Sequence, residues 1–194
     1  MSKKVVHLAV FASGGGSNAR AILEYFRNRE DLRVSVIVCN KEGAGVFEVA
    51  KAFGVPAVLV KKAELNNEGS MLELLARYEV DGIVLAGFLL LIPSFLVRAF
   101  EGKILNIHPA LLPRFGGPGM HGMHVHRAVV EAGETESGPS IHLVNERYDE
   151  GAVIHQARTP IDKGDTAEAV AKKVLVLEHY WYPRVIERHF INAG

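Results

Sequence analysis

Val5-Val6-His7-Leu8-Ala9-Val10-Phe11, followed at once by Ser13-Gly14-Gly15-Gly16-Ser17-Asn18, is the stretch that decides the fold. The first half is nearly continuous apolar, the pattern of a parallel strand covered on both faces. The second half is a glycine turn. Beyond it Ala19, Ile22, Leu23 and Phe26 recur at helical spacing. Strand, glycine turn and helix form the opening unit of a doubly wound sheet.

The same alternation continues outward from that unit. Val34–Cys39 reads as a second strand. The helix Gly45–Phe53 follows, closed by Gly54, and then a short strand over Ala57–Val60. A helix marked by Met71, Leu72, Leu74, Leu75 and Tyr78 precedes a fourth strand, Gly82–Ala86. A helix over Ser94–Phe100 leads to a fifth strand, Ile104–Ile107. Strands alternating with helices predict an α/β fold, a doubly wound and mainly parallel sheet with helices on both faces.

After Pro109 the texture changes. Residues 109–121 are rich in Gly and Pro and read as a long loop, functional or mobile, before a short helix over His124–Ala132. Ser140–Val144 and Val153–Ala157 alternate better than the early strands, so they are expected as an antiparallel C-terminal pair at a sheet edge. Asp165 with Glu168 three residues on resembles a capping box. It opens a long last helix with Val170, Val174, Leu177 and Trp181 on one face, expected to be interrupted near Pro183. With no internal repeat or linker, residues 1–194 read as one domain.

Composition narrows the class. Lys and Arg together number 22, as do Asp and Glu, so no global field draws the chain to nucleic acid or an acidic membrane. Met1-Ser2-Lys3-Lys4 before an apolar run raises the question of a signal peptide. His7 breaks the run and no cleavage signature follows, so a first strand is expected. The longest apolar stretch, Ile83–Ile92, is too short to span a bilayer. One cysteine, Cys39, excludes an intrachain disulfide and fits a reducing compartment. A cytoplasmic protein with small-molecule partners, no nucleic acid and no membrane, and a monomeric or homodimeric state, is expected.

Four motifs carry chemistry. In the glycine turn, backbone N–H groups of Gly16, Ser17 and Asn18 stand at a helix N-terminus, an arrangement that attracts anions. Gly14-x-Gly16-x-x-Ala19 formally fits the dinucleotide fingerprint, which also needs an acidic residue after the second strand. Asn40 stands there instead, so a single phosphate fits better than a dinucleotide; a tight turn with no ligand is the plainer alternative.

In Ile104-Leu105-Asn106-Ile107-His108-Pro109, Asn106 and His108 are two apart and project to the same side of a strand that Pro109 ends. Strand ends of this kind hold the ligands of open α/β sheets. An amide can donate to a developing oxyanion and an imidazole can move a proton near neutral pH. A strand-end His bonded to a local carbonyl is the bland alternative. Asp149-Glu150-Gly151 lies in the turn between the two late strands. If that turn reaches His108, Asp149 can hold the imidazole and raise its pKa. His121, His124 and His126 match no standard zinc spacing, so no metal is expected. Leu89-Leu90-Leu91-Ile92 reads as core or as an apolar slot for a flat heterocycle.

Together these residues resemble the folate-dependent formyltransferase family. The matching pieces are Ser13–Asn18, Leu85-Ala86-Gly87-Phe88, Asn106-Ile107-His108-Pro109 with Leu111-Leu112-Pro113, the segment His142–Gly151, and Glu178-His179 before Pro183. The resemblance implies a formyltransferase fold and 10-formyltetrahydrofolate as co-substrate, without a metal. The early glycine turn points to the branch that formylates the glycinamide amine of a phosphoribosyl substrate in purine biosynthesis. It further implies that Gly16, Ser17 and Asn18 hold the phosphate and that Glu178 reaches the ribose hydroxyls. Leu89, Leu90, Leu91 and Ile92, with Asn106, Asn145, Glu146, Arg147, Tyr148 and Asp149, would wrap the pterin. Asn106, His108 and Asp149 would be the catalytic group, with His108 kept charged by Asp149. Two other readings stand beside this one. The chain could be another formyl-handling enzyme, such as a formyltetrahydrofolate hydrolase or a methionyl-tRNA formyltransferase, against which the length argues. It could also be a non-catalytic nucleotide-binding module.

Overall fold

The computed structural model describes residues 5–191; Met1–Lys4 and 192–194 lie outside them. In chain order the elements are β1 (Val6–Ala12), α1 (Ser17–Phe26), β2 (Leu32–Cys39), α2 (Val46–Phe53), β3 (Ala57–Leu59), α3 (Lys62–Leu65) and α4 (Glu68–Arg77). Then come β4 (Gly82–Leu85), α5 (Ser94–Ala99), β5 (Ile104–His108), α6 (Met123–Glu131), β6 (Glu136–Ser137), β7 (Ser140–Leu143), β8 (Val153–Gln156), β9 (Thr159–Pro160) and α7 (Ala167–Phe190).

Among the described residues seven strands form one sheet in the order β3-β2-β1-β4-β5-β7-β8. The first five are parallel; β7 runs antiparallel to β5 and β8 antiparallel to β7. The antiparallel edge pair is therefore present. Two elements were not legible in advance: the single-turn α3 and the small β6–β9 ladder.

Strand alternation sorts the core into two layers. Leu8, Val10 and Ala12 of β1 face α1, α2 and α7, whereas Ala9 and Phe11 face α4 and α5. On β5, Leu105 and Ile107 join the first layer and Ile104 the second. Asn106 and His108 share the side of Ile104, as period two requires. The strand order reverses between β1 and β4, which leaves a crevice at the C-terminal ends of β1, β4 and β5, where such sheets take their ligands.

The last helix departs from expectation. It runs unbroken through Pro183 for 24 residues, and its N-cap is Thr166, whose hydroxyl accepts from Ala169 N–H at 3.3 Å. Asp165 is bonded instead to Lys173 (2.6 Å) and to Asp162 N–H (2.9 Å). An internal proline costs a backbone bond, but tertiary contacts here hold both sides of it. Tyr182 is fully buried and its hydroxyl reaches the carbonyls of Leu85 (2.8 Å) and Leu105 (3.1 Å). The buried stripe is Val170, Val174, Glu178, Tyr182 and Ile186, an i,i+4 row; Leu177 and Trp181 are only partly covered. That row places a carboxylate, Glu178, against the crevice.

Candidate active site

The crevice encloses a cavity of about 510 Å³. Its walls come from β5 (Asn106 and His108), the segment after β4 (Gly87–Ile92), the loop 117–122, α6 (His126), the turn after β7 (Asn145 and Arg147–Asp149) and α7 (Glu178).

Register explains why the polar groups meet. In the antiparallel β5–β7 pair Asn106 is directly opposite His142, and opposed residues share a face. His142 Nδ1 lies 2.8 Å from the Leu143 carbonyl, which can only accept, so Nδ1 carries the proton. Nε2 is then free to accept from Asn106 Nδ2 at 3.0 Å. The turn that follows carries Asp149 in a left-handed conformation (φ 56°) and aims its carboxylate back at the strand end. Asp149 Oδ2 lies 3.5 Å from His108 Nδ1 and accepts from Gly117 N–H at 3.0 Å. Its Oδ1 lies 3.4 Å from Asn106 Nδ2 and 3.5 Å from His142 Nε2.

His142 was not among the expected site residues. The available signal was its period-two partnership with Ser140 in a strand expected to pair at the edge, but the register that puts it opposite Asn106 is a tertiary fact. Ser140 anchors the base of the long loop: its hydroxyl donates to the Ala110 carbonyl (2.6 Å) and accepts from Leu112 N–H (2.9 Å).

The protonation of His108 differs from expectation. Burial pushes its pKa below the ordinary value; Asp149 and the bond to the Phe115 carbonyl pull it up without restoring it, and His142 pushes it down. Burial thus works against the charged imidazolium that Asp149 and the Phe115 carbonyl favour. The ring's Nε2 donates to the Phe115 carbonyl at 2.7 Å, and its Nδ1 faces Asp149. A proton taken up at Nδ1 would arrive beside a carboxylate. For Asp149 itself burial raises the pKa, but contact with His142, the nearby His108 and the Gly117 N–H outweigh it, so the carboxylate is held below its usual range.

On the other wall Asn18 Nδ2 donates to Glu178 Oε2 at 2.7 Å, and both residues line the cavity. Among the described residues no cation pairs with Glu178. Burial pushes its pKa up to about 7, with the Asn18 bond opposing. Gly16 and Ser17 open onto a neighbouring hollow of about 730 Å³ with Arg20, Gly45 and His179. Gly16 has φ 78° and a Cβ there would lie 2.9 Å from Val46, so the turn depends on a glycine.

Leu89, Leu90, Leu91 and Ile92 all line the central cavity, with Ile92 buried and Leu89 half exposed. Asn145, Arg147, Tyr148 and Asp149 line it too. Glu146 does not; it lies 3.6 Å from Arg98 on the outer surface. The Asn145 side chain is occupied by Arg147 N–H at 2.9 Å, a turn-forming bond. His121, in the loop, and His124, on α6, are exposed with their rings edge to face, whereas His126 of α6 is buried against the cavity with Nδ1 unpartnered. Among the described residues no group of three or more His, Cys, Asp or Glu is arranged to hold a metal ion.

An amide donor, a buried imidazole and a carboxylate held below its usual range, at the end of a parallel strand, define a site for proton-coupled transfer at a carbonyl, on a doubly wound α/β fold. Residues 6–186 match the formyl transferase family, and the chain belongs to that family. It is 39% identical over 185 residues to phosphoribosylglycinamide formyltransferase of Bacillus subtilis (strain 168), covering 93% of this chain and 92% of that one. It is 46% identical over 186 residues to the chloroplastic phosphoribosylglycinamide formyltransferase of Vigna unguiculata, covering 93% of this chain. The chain spans only 59% and 63% of the length of the Vigna unguiculata and Arabidopsis thaliana chloroplastic relatives. The crystal structure of phosphoribosylglycinamide formyltransferase from Brucella melitensis superposes with a TM-score of 0.85 at 34% identity, covering 98% of this chain and 97% of that one.

Proposed function

We propose that the chain transfers the formyl group of 10-formyltetrahydrofolate to the primary amine of phosphoribosylglycinamide, a step of purine biosynthesis. The observation that carries this reading is the convergence of Asn106, His108 and Asp149 on one cavity that Asn18, Glu178 and Leu89–Ile92 also line. Names of relatives with full-length coverage support it. Residues 1–194 act as one formyltransferase domain, and the single, buried Cys39 supports a cytoplasmic setting.

In this reading the phosphate lies at the amides of Gly16, Ser17 and Asn18, with Glu178 at the ribose. The pterin lies along Leu89–Ile92 and the turn 145–149. The amine attacks the formyl carbon; a C–N bond forms and the carbonyl π pair moves to oxygen. Asn106 Nδ2 turns one N–H to that oxygen, releasing its long 3.4 Å contact with Asp149 while keeping the 3.0 Å bond to His142. The proton of the attacking nitrogen passes to His108 Nδ1, where Asp149 stabilises the imidazolium. The bond from carbon to the folate N10 then breaks, and N10 leaves with the proton returned by His108.

The test is a spectroscopic transfer assay with glycinamide ribonucleotide and the formyl folate, run beside His108→Ala. Transfer that needs the amine and falls by about 10²–10⁴-fold in the variant is expected. Folate deformylation without the amine would move the reading to a hydrolase, and the absence of both turnover and folate binding would end it.

A further inference from the structure

Ser13 lies behind the cavity wall, bonded to Leu89, which lines the cavity. It is buried at 4% exposure, directly after β1 and before the glycine turn. Its backbone N–H donates to the Gly87 carbonyl at 3.0 Å, continuing the β1–β4 ladder past Ala86 N–H to Phe11 carbonyl. Its hydroxyl donates to Asn40 Oδ1 at 2.5 Å and accepts from Leu89 N–H at 2.9 Å. A hydroxyl has one proton. Because Asn40, just after β2, takes that proton, a lone pair is left for Leu89. The side chain thus joins the ends of β1 and β2 to the backbone of the segment after β4. Phe88 is clamped beside it, its ring edge to face with Phe11 at 5.3 Å.

We propose that Ser13 is a positioning residue. Its hydroxyl holds the Leu89 backbone in register with the glycine turn, so that the apolar wall of Leu89–Ile92 is preset for a flat heterocycle. The inference rests on the function proposed above for what occupies that wall. Asn40, which stands where a dinucleotide site would carry an acidic residue, serves here as the acceptor that orients the Ser13 hydroxyl.

The experiment measures two things. Amide hydrogen exchange reads Leu89 in the free protein, and calorimetry reads the affinities for 10-formyl-5,8-dideazafolate and for glycinamide ribonucleotide. Protection of Leu89 in the wild type, lost in Ser13→Ala, is expected. In that variant the folate analogue should bind about three- to tenfold more weakly, as loss of one hydrogen bond predicts, while ribonucleotide affinity stays within about twofold. Ser13→Thr, which keeps the hydroxyl, should restore folate affinity. An unprotected Leu89 amide in the wild type, or equal weakening of both ligands, or no weakening, overturns the proposal. If Ser13→Ala does not fold, Asn40→Ala, which leaves the hydroxyl unoriented, takes its place with the same expected direction. If the wild type binds neither ligand, the function reading falls alone, and Leu89 exchange still decides whether Ser13 holds that backbone.

Discussion

Two carboxylates look into one cavity and titrate in opposite directions. Asp149 and Glu178 are both nearly removed from water, at 11% side-chain and 7% residue exposure. Asp149 is held below the usual carboxylate range, and Glu178 is raised to about 7. Burial raises both, so burial cannot decide the sign; partners do. Asp149 has a backbone N–H and two imidazoles around it. Glu178 has one neutral amide, Asn18. One end of the cavity therefore carries a fixed negative charge that can stabilise a transient imidazolium. The other carries a carboxyl that awaits hydroxyl partners.

Replacing Asp149 by Asn should break this contrast with the largest effect. The side chain keeps its shape but loses its charge, so the proton at His108 Nδ1 has no counter-ion, and kcat should fall by about 10²–10³-fold. Ribonucleotide binding should hold within about twofold, as equilibrium titration would show. A parallel loss of ribonucleotide binding would mean that the two ends are not separate.

Glu178→Gln tests the opposite end through stability. A carboxyl whose folded pKa is about 7 against an ordinary 4.5 is favoured in its protonated form by folding. Its stabilisation is complete below about pH 4.5 and is lost as pH rises towards 7. At pH 8 the variant should accordingly be more stable than the wild type by about 2–3 kcal/mol, read from urea midpoints. The same variant should bind ribonucleotide more weakly. Unchanged midpoints at pH 8 would show that Glu178 is already compensated in the free protein.

His142→Ala sharpens the account of the Asp149 end, with a smaller effect. Asn106 would lose the acceptor that orients its amide, and kcat should fall about tenfold with little change in KM. His142→Gln can restore an acceptor and should recover part of that loss. Equal KM effects in both variants would indicate general loosening of the β5–β7 pair.

The smallest effect is expected at Glu146, which the resemblance placed among the pterin contacts and the structure places outside the cavity. Glu146→Ala should change folate KM less than about twofold, because its pair with Arg98 is solvent-exposed.

The Asp149 end also shows how far sequence could be read. Asn106 and His108 were legible because a period-two pattern ended by Pro109 fixes which side chains share a face. Asp149 was legible as a turn residue, yet its reach to His108 was not, since it depends on the length and curvature of the 145–151 turn. His142 was missed because opposition across an antiparallel pair is set by register, a property of two strands and not of either one. The interruption expected at Pro183 failed for the same kind of reason: a local rule about proline was overridden by Tyr182 bonding to two strand carbonyls distant in sequence.

Local periodicity and side-chain type suffice for the α/β alternation, the glycine turn that opens it, and Asn106, His108 and Asp149 as candidate chemistry; Glu178 entered only through the family resemblance. Which of them meet, and why the pKa values of two carboxylates in one cavity shift in opposite directions, is a matter of long-range packing. Desolvation and partner geometry are sums over neighbours from the whole chain, and no single stretch contains them.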